Sequence, residues 1–188
     1  MHLIEPFYNW RELYVASEDE TSPFFGREYS EMYLSNTIYD YYIHPQWDEF
    51  GSKTLYLKII YVSYELNYAV IEFIGEWNDA IYNDVMYLKR EVIDLLIKNG
   101  VSKFILIGEN VMNYHSSDDS YYEEWFSDLE QGWIYAMNFL NHVIDEFRSI
   151  GVENYITFEH HSLNWRKLKP INIFETINRI FYNRISNT

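Results

Sequence analysis

The stretch "AVIEFIGEWNDAIYNDVMYLKREVIDLLIKNGVSKFILIGENV", residues 69–111, decides the fold, because three different apolar patterns follow one another within it. "YAVIEFIG", residues 68–75, is rich in β-branched and aromatic residues and reads as a strand. From residue 78 onward Ile81, Val85, Leu88, Val92 and Leu95 recur at helical spacing. Asn78 or Asp79 can cap the start and Gly100 can end it, so the spacing predicts an amphipathic helix over 79–99. "KFILIG", residues 103–108, is a short continuous apolar run, the pattern of a strand covered on both faces. Strand, helix and buried strand in succession form the crossover that joins parallel neighbours in a sheet.

Upstream, "TLYLKIIYVSYE", residues 54–65, has the same strand character, and the polar turn at Leu66 and Asn67 predicts an antiparallel hairpin with 68–75. Downstream, Trp133, Met137, Leu140, Ile144 and Phe147 make a second apolar stripe closed by Gly151, which predicts a helix over 132–150. "NYITFEHH", residues 154–161, reads as another strand, and after Pro170 the stripe Ile173, Phe174, Ile177, Ile180 and Phe181 predicts a third helix. The expected fold class is α/β: a mixed sheet with the order strand, strand, helix, strand, helix, strand, helix. The first fifty residues add an aromatic-rich N-terminal elaboration. There "PFYNWRELY" suggests a short helix, and "MYLSNTIYDYYIHPQW" has strand character broken at Pro45. Phe7, Tyr8, Trp10 and the cluster from Tyr39 to Tyr42 are expected to pack over the sheet edge, a sugar-stacking surface being the alternative. The length, 188 residues, suits one domain: an elaboration over 1–53, a core over 54–160 and a basic amphipathic helix within 161–188.

Composition narrows the chemistry. The absence of cysteine removes disulfides, thiolate catalysis and cysteine-ligated zinc together. A net charge of −15 should repel nucleic-acid phosphates and anionic lipid surfaces, so neither is expected as a partner. The exception is the tail, where Arg166, Lys167, Lys169, Arg179 and Arg184 are expected to lie against the acidic body. "MHLIEPFYNW" lacks the basic and apolar regions of a signal peptide, and no apolar run approaches twenty residues, so a soluble cytoplasmic protein is expected. There is no Gly-rich phosphate loop, dinucleotide fingerprint, Gly-x-Ser-x-Gly elbow or His-Glu-x-x-His, and no cofactor is expected.

Residues 69–111 resemble the STAS-like proteins, including anti-sigma-factor antagonists, in which a strand ending in a Gly-Glu-apolar-acid turn leads to a helix and then a buried strand. Gly75, Glu76, Trp77 and Asn78 or Asp79 occupy that turn here. "VMNYHSSDD", residues 111–119, stands where antagonists carry Asp-Ser-Ser-Gly with the first serine phosphorylated; the resemblance gives that role to Ser116. His115 stands in place of the aspartate and Asp118 of the glycine, so what the chain resembles is a divergent STAS-like branch of unknown function more than an antagonist proper.

If the crossovers are right-handed, the strand ends at Gly75, Gly108 and Glu159 lie on one edge of the sheet, where open α/β sheets bind ligands. Glu76, Glu109, Asn110, the loop from His115 to Glu124, and His160 gather there. The expected function is a non-enzymatic regulatory or binding module of STAS-like type, with Asn110, His115, Ser116, Asp118 and Asp119 as binding or regulatory residues. Its partner would be a protein, a small ligand or a second copy of the chain. The alternative is a hydrolase-like enzyme in which Glu76, Glu109 and His160 act on a carbohydrate, or in which Asp118, Asp119 and Glu123 hold a divalent cation. Six acids from Asp118 to Glu130 with no base among them predict a solvated, mobile segment.

Overall fold

The computed structural model describes residues 3–30, 37–38, 41–159 and 163–185. Three short strands, β1 (Leu3–Ile4), β2 (Thr37–Ile38) and β3 (Tyr41–Ile43), form a small sheet in the order β1-β3-β2. The main sheet has five strands, β4 (Leu55–Ser63), β5 (Tyr68–Asn78), β6 (Lys103–His115), β7 (Trp133–Met137) and β8 (Ile156–Phe158), side by side in chain order. β4 is antiparallel to β5, as the hairpin pattern predicts, and β5 to β8 run parallel.

The helical segments are α1 (Asp79–Tyr82), α2 (Asp84–Leu88), a π-helical turn (Lys89–Ile93), α3 (Asp94–Lys98), α4 (Ser120–Ser127), α5 (Asn141–Ser149) and α6 (Pro170–Ile185). The expected helix over 79–99 is therefore present but interrupted. Asn83 adopts a left-handed conformation, φ 53°, which turns the first short helix outward and leaves Ile81 73% exposed. The π turn then advances the buried stripe by one position, so that Ile93 and Leu96 are buried and the regular 3.6 spacing to Leu95 is lost.

Two faces of the sheet are filled. Val85, Leu88, Val92, Tyr122, Trp125, Val143 and Phe147 from α2 to α5 pack on one face with Ile71, Phe104 and Leu106. On the other, Ile173, Phe174 and Ile177 of α6 pack with Tyr68, Val70, Ile105 and Ile107, joined by Phe7 and Trp10 from the N-terminal segment. The two chain ends meet there: the Phe7 and Trp165 rings are 4.6 Å apart, and Trp10 Nε1 donates to the Leu168 carbonyl at 3.1 Å. The basic tail thus docks chiefly through its apolar stripe. "PFYNWRELY" is a series of turns, Leu13 N to Trp10 O being 2.8 Å, because Phe7 and Trp10 must both reach the sheet within a short span.

The predicted helix over 132–150 is corrected. Its first part is β7, where five consecutive residues are buried, Ile134 and Ala136 on one face, Trp133, Tyr135 and Met137 on the other. A one-sided helix cannot bury five neighbours; a central strand does. α5 begins after Leu140, which is extended at φ −66°, ψ 144°. The expected element order is kept, with one helix and one strand, α4 and β7, interposed. The loop expected over 115–124, within the solvated segment predicted for 118–130, is likewise corrected: His115 ends β6, and Ser120–Ser127 form α4 because Tyr122 and Trp125, three apart, are fully buried.

Candidate functional site

The strands do not end at Gly75 and Gly108, as the sequence suggested. β5 runs on to Asn78 and β6 to His115, pairing Glu76 with Asn113, Trp77 with Tyr114 and Asn78 with His115, while β7 stops opposite Ile107. A two-stranded ribbon therefore projects beyond the carboxyl end of the sheet. Two glycines permit it. Gly75 has φ +119° beside a register shift, and a Cβ there would stand 2.1 Å from the Thr54 carbonyl. At Gly108 a Cβ would meet the Phe139 ring at 2.3 Å.

Where the ribbon meets α1, a polar knot is buried. Asp79, 4% exposed, accepts from Tyr114 Oη at 2.9 Å and Tyr122 Oη at 2.6 Å through Oδ2. Through Oδ1 it accepts from Trp77 Nε1 at 3.1 Å and the Val85 N–H at 2.8 Å. Burial pushes its pKa up, with these four donors opposing. Asp84 is fully buried; its Oδ2 accepts from the Asn78 N–H at 2.7 Å, while its Oδ1 makes no close hydrogen bond among the described residues. Burial raises its pKa to about 6 against the Asn78 N–H. Asn78 caps α1 as the sequence predicts, its Oδ1 accepting from the Ile81 N–H at 2.9 Å.

Above the knot lies a rim holding most of the expected residues. His115 Nε2 is 2.9 Å from Glu76 Oε1, which also accepts from Asn78 Nδ2 at 3.2 Å. Ser116 Oγ donates to Glu146 of α5 at 2.7 Å, and Tyr155 Oη donates to Asp119 Oδ2 at 3.1 Å. Asp118 accepts from the Ser120 N–H at 3.0 Å and from its hydroxyl, which lower its pKa. A cavity of about 230 Å³ opens beside Asp79, Ser117, Asp118 and Tyr121. A phosphate on Ser116 would exchange the bond to Glu146 for repulsion from it. Glu123 is exposed on α4, and among the described residues no three histidine, aspartate or glutamate side chains converge as a metal ion requires.

Glu109 and Glu76 are not brought together as an acid and base pair. Glu109 accepts from Arg166 Nε at 3.0 Å, and Arg166 Nη2 also reaches Glu72 Oε1 at 3.1 Å. Asn110 sits behind the rim, level with Ile74. His160 lies outside the described residues, as do His161 and Tyr39. Sequence reasoning missed Glu72, a fully buried carboxylate on β5 whose Oε2 accepts the Phe7 N–H at 2.9 Å. Burial raises its pKa to about 7, Phe7 and Arg166 opposing and Glu109 adding to the rise. Its signal was present: one acid inside the apolar run "YAVIEFIG". It also missed Asp48, fully buried, which accepts from Arg27 at 3.0 Å, Tyr29 Oη at 2.6 Å and Lys58 Nζ at 3.0 Å.

No family model matches the chain, and no curated protein matches it. Among solved structures it is similar to the anti-sigma factor antagonist SpoIIAA in its unphosphorylated form, at 16% identity over 66% of this chain and 95% of that one, TM-score 0.44. It is similar also to the Bacillus cell fate determinant SpoIIAA in its phosphorylated form, at 15% identity over 66% of this chain and 98% of that one, TM-score 0.40.

Proposed function

We propose that the chain is a non-enzymatic binding module that docks a protein partner on the rim at the carboxyl end of its sheet. One domain does this: an N-terminal elaboration over 1–53, a core over 54–160 and a C-terminal part over 161–188, with Phe7, Trp10, Trp165 and the apolar side of α6 completing its second face. The observation that carries the reading is the pinning of the rim. Ser116 to Glu146 and Tyr155 to Asp119 tie the segment after β6 to α5 and to the turn before β8, so that His115, Ser117 and Asp118 project from a fixed base. A pre-ordered surface loses little freedom on association, which is what a recognition surface needs. The carboxylates an enzyme would use are instead committed separately, Glu76 to His115 and Asn78, Glu109 to Arg166. The rim is acidic, so the partner presents a basic face.

A photo-crosslinking residue placed at position 117 in the source cell tests this, with position 175 on α6 as control. One adduct of defined mass at 117, absent at 175 and lost when Asp118→Lys is added, is the expected result. No adduct at 117, or the same adducts at both positions, refutes the reading.

A further inference from the structure

A second cavity, of about 320 Å³, lies between the N-terminal segment and the edge strand β4, away from the rim. Lys58, Ile59 and Ile60 of β4 form one side, and Tyr8, Arg11 and Tyr14 stand across it. Its volume is at the lower end of what small-molecule sites occupy, and aromatic walls with a few placed polar groups are the usual lining of such sites.

Its charge sets it apart from the rest of the molecule. The chain carries −15, yet Arg11 and Lys58 both line this cavity, and Arg27 stands behind Lys58 on Asp48. Burial lowers the Lys58 pKa; Asp48 opposes this, and Arg11 and Arg27 add to the lowering, so both guanidinium fields reach its amine. The neighbouring acids among the described residues include Asp48, shared between Arg27 and Lys58, Asp19, which accepts from Tyr14 Oη at 2.9 Å, and Glu18, exposed at the mouth. Glu72, opposite Lys58 across the strands, is held by Arg166 and by the N–H of Phe7, itself a lining residue. Among the described residues acids thus match the three cations in number, and what separates the cations is that Arg27 and Lys58 are both spent on Asp48.

Arg11 is the cation left to a ligand. Its guanidinium lies 4.0 Å over the Tyr8 ring and donates through Nη2 to the neutral Gln46 Oε1 at 2.7 Å; among the described residues it has no carboxylate partner. A guanidinium oriented by an aromatic face and an amide, with N–H groups to spare, is prepared for a planar carboxylate. We propose that this cavity binds a small organic monocarboxylate with an aromatic body, the carboxylate on Arg11 and the ring among Tyr8, Tyr14 and Tyr29. A dianion would meet Arg11 as its one cation not already spent on a carboxylate among the described residues, with Asp48, Asp19 and Glu18 close by, so a single negative charge fits and a phosphate monoester does not.

The test uses the full chain with benzoate, its neutral isostere benzamide and the dianion phenyl phosphate as probes, followed by backbone amide NMR shifts. Benzoate is expected to shift the amides of Tyr8, Arg11 and Lys58 saturably, with benzamide and phenyl phosphate binding at least tenfold more weakly. Arg11→Gln is expected to weaken benzoate at least tenfold while the melting temperature stays within a few degrees, and Arg179→Gln on α6 to change nothing. Should Arg11→Gln not fold, Arg11→Lys serves, with a smaller loss of benzoate affinity expected. No saturable shift with benzoate, equal binding of benzamide, tighter binding of phenyl phosphate, or benzoate affinity indifferent to both Arg11 variants overturns the proposal.

Discussion

Replacing Glu72 by glutamine should change how stability depends on pH more than it changes stability itself. Glu72 is fully buried, and its pKa rises from 4.5 to about 7, burial being the main cause. A carboxyl raised in the folded state contributes stability that is complete below about pH 4.5 and is lost as pH rises through about 7, since the folded chain then holds a proton that the unfolded chain has released. At about 1.4 kcal/mol per pKa unit, the loss assigned to this group between pH 5 and 8 is about 2.5 kcal/mol. Glutamine has no proton to lose and can still accept the Phe7 N–H. Arg166 keeps Glu109. Urea unfolding followed by tryptophan fluorescence at pH 5, 6, 7 and 8 gives the comparison. Asp84 and Glu159, whose pKa values are also raised, are present in both proteins and cancel in the difference. The stability of Glu72→Gln relative to wild type should climb by about 2 to 3 kcal/mol across that range. A difference constant to within about 0.5 kcal/mol would show that Glu72 is not protonated on folding, and the reasoning from burial would fail.

Asp79→Ala strands two tyrosine hydroxyls, an indole N–H and the Val85 N–H in a dry site, so urea unfolding should show a loss of about 3 kcal/mol or more, with Asp79→Asn losing less. A loss under about 1 kcal/mol would mean the knot is not what binds α1 to the ribbon. Leu88→Asp puts an unpaired charge into the centre of the helical face, and circular dichroism should show an unfolded chain, because several kcal/mol are set against a total of about 5 to 15. Truncation after Leu168 removes α6 from Tyr68 and Trp133, whose rings stack on Phe174; a lower melting temperature and new binding of a hydrophobic dye should follow, and an unchanged melting curve would refute the docking.

The hairpin, the central strand and α6 were legible because each carries a pattern that only one element satisfies. Lys103–Ile107 is apolar at nearly every position and is paired on both sides, and Pro170 stands at the first residue of α6. β7 was misread because Trp133 and Met137 are four apart, a helical spacing that a strand buried on both faces also satisfies. α4 was hidden by its acids: Glu123 and Glu124 lie on the outer side of a helix whose Tyr122 and Trp125 face in. The site was legible by place more than by partner. Glu76 and the segment after β6 do meet at the carboxyl edge, but the bulges in β6 accompany the turn of Glu109 to Arg166, and no periodicity announces a bulge.

The meeting of the two chain ends over one face has a consequence for synthesis. All five strands of the main sheet are complete by Phe158, whereas the side chains that close the second face, from Trp165 to Phe181, leave the ribosome afterwards. For that interval the nascent sheet shows Tyr68, Val70, Ile105 and Ile107 to solvent or to whatever chaperone stands at the exit, and Phe7 and Trp10, made earlier, are held without their indole partner. Slowing the emergence of residues 165–181 from the ribosome would lengthen the exposure, and the yield of folded protein, not its final stability, is the quantity that would register it.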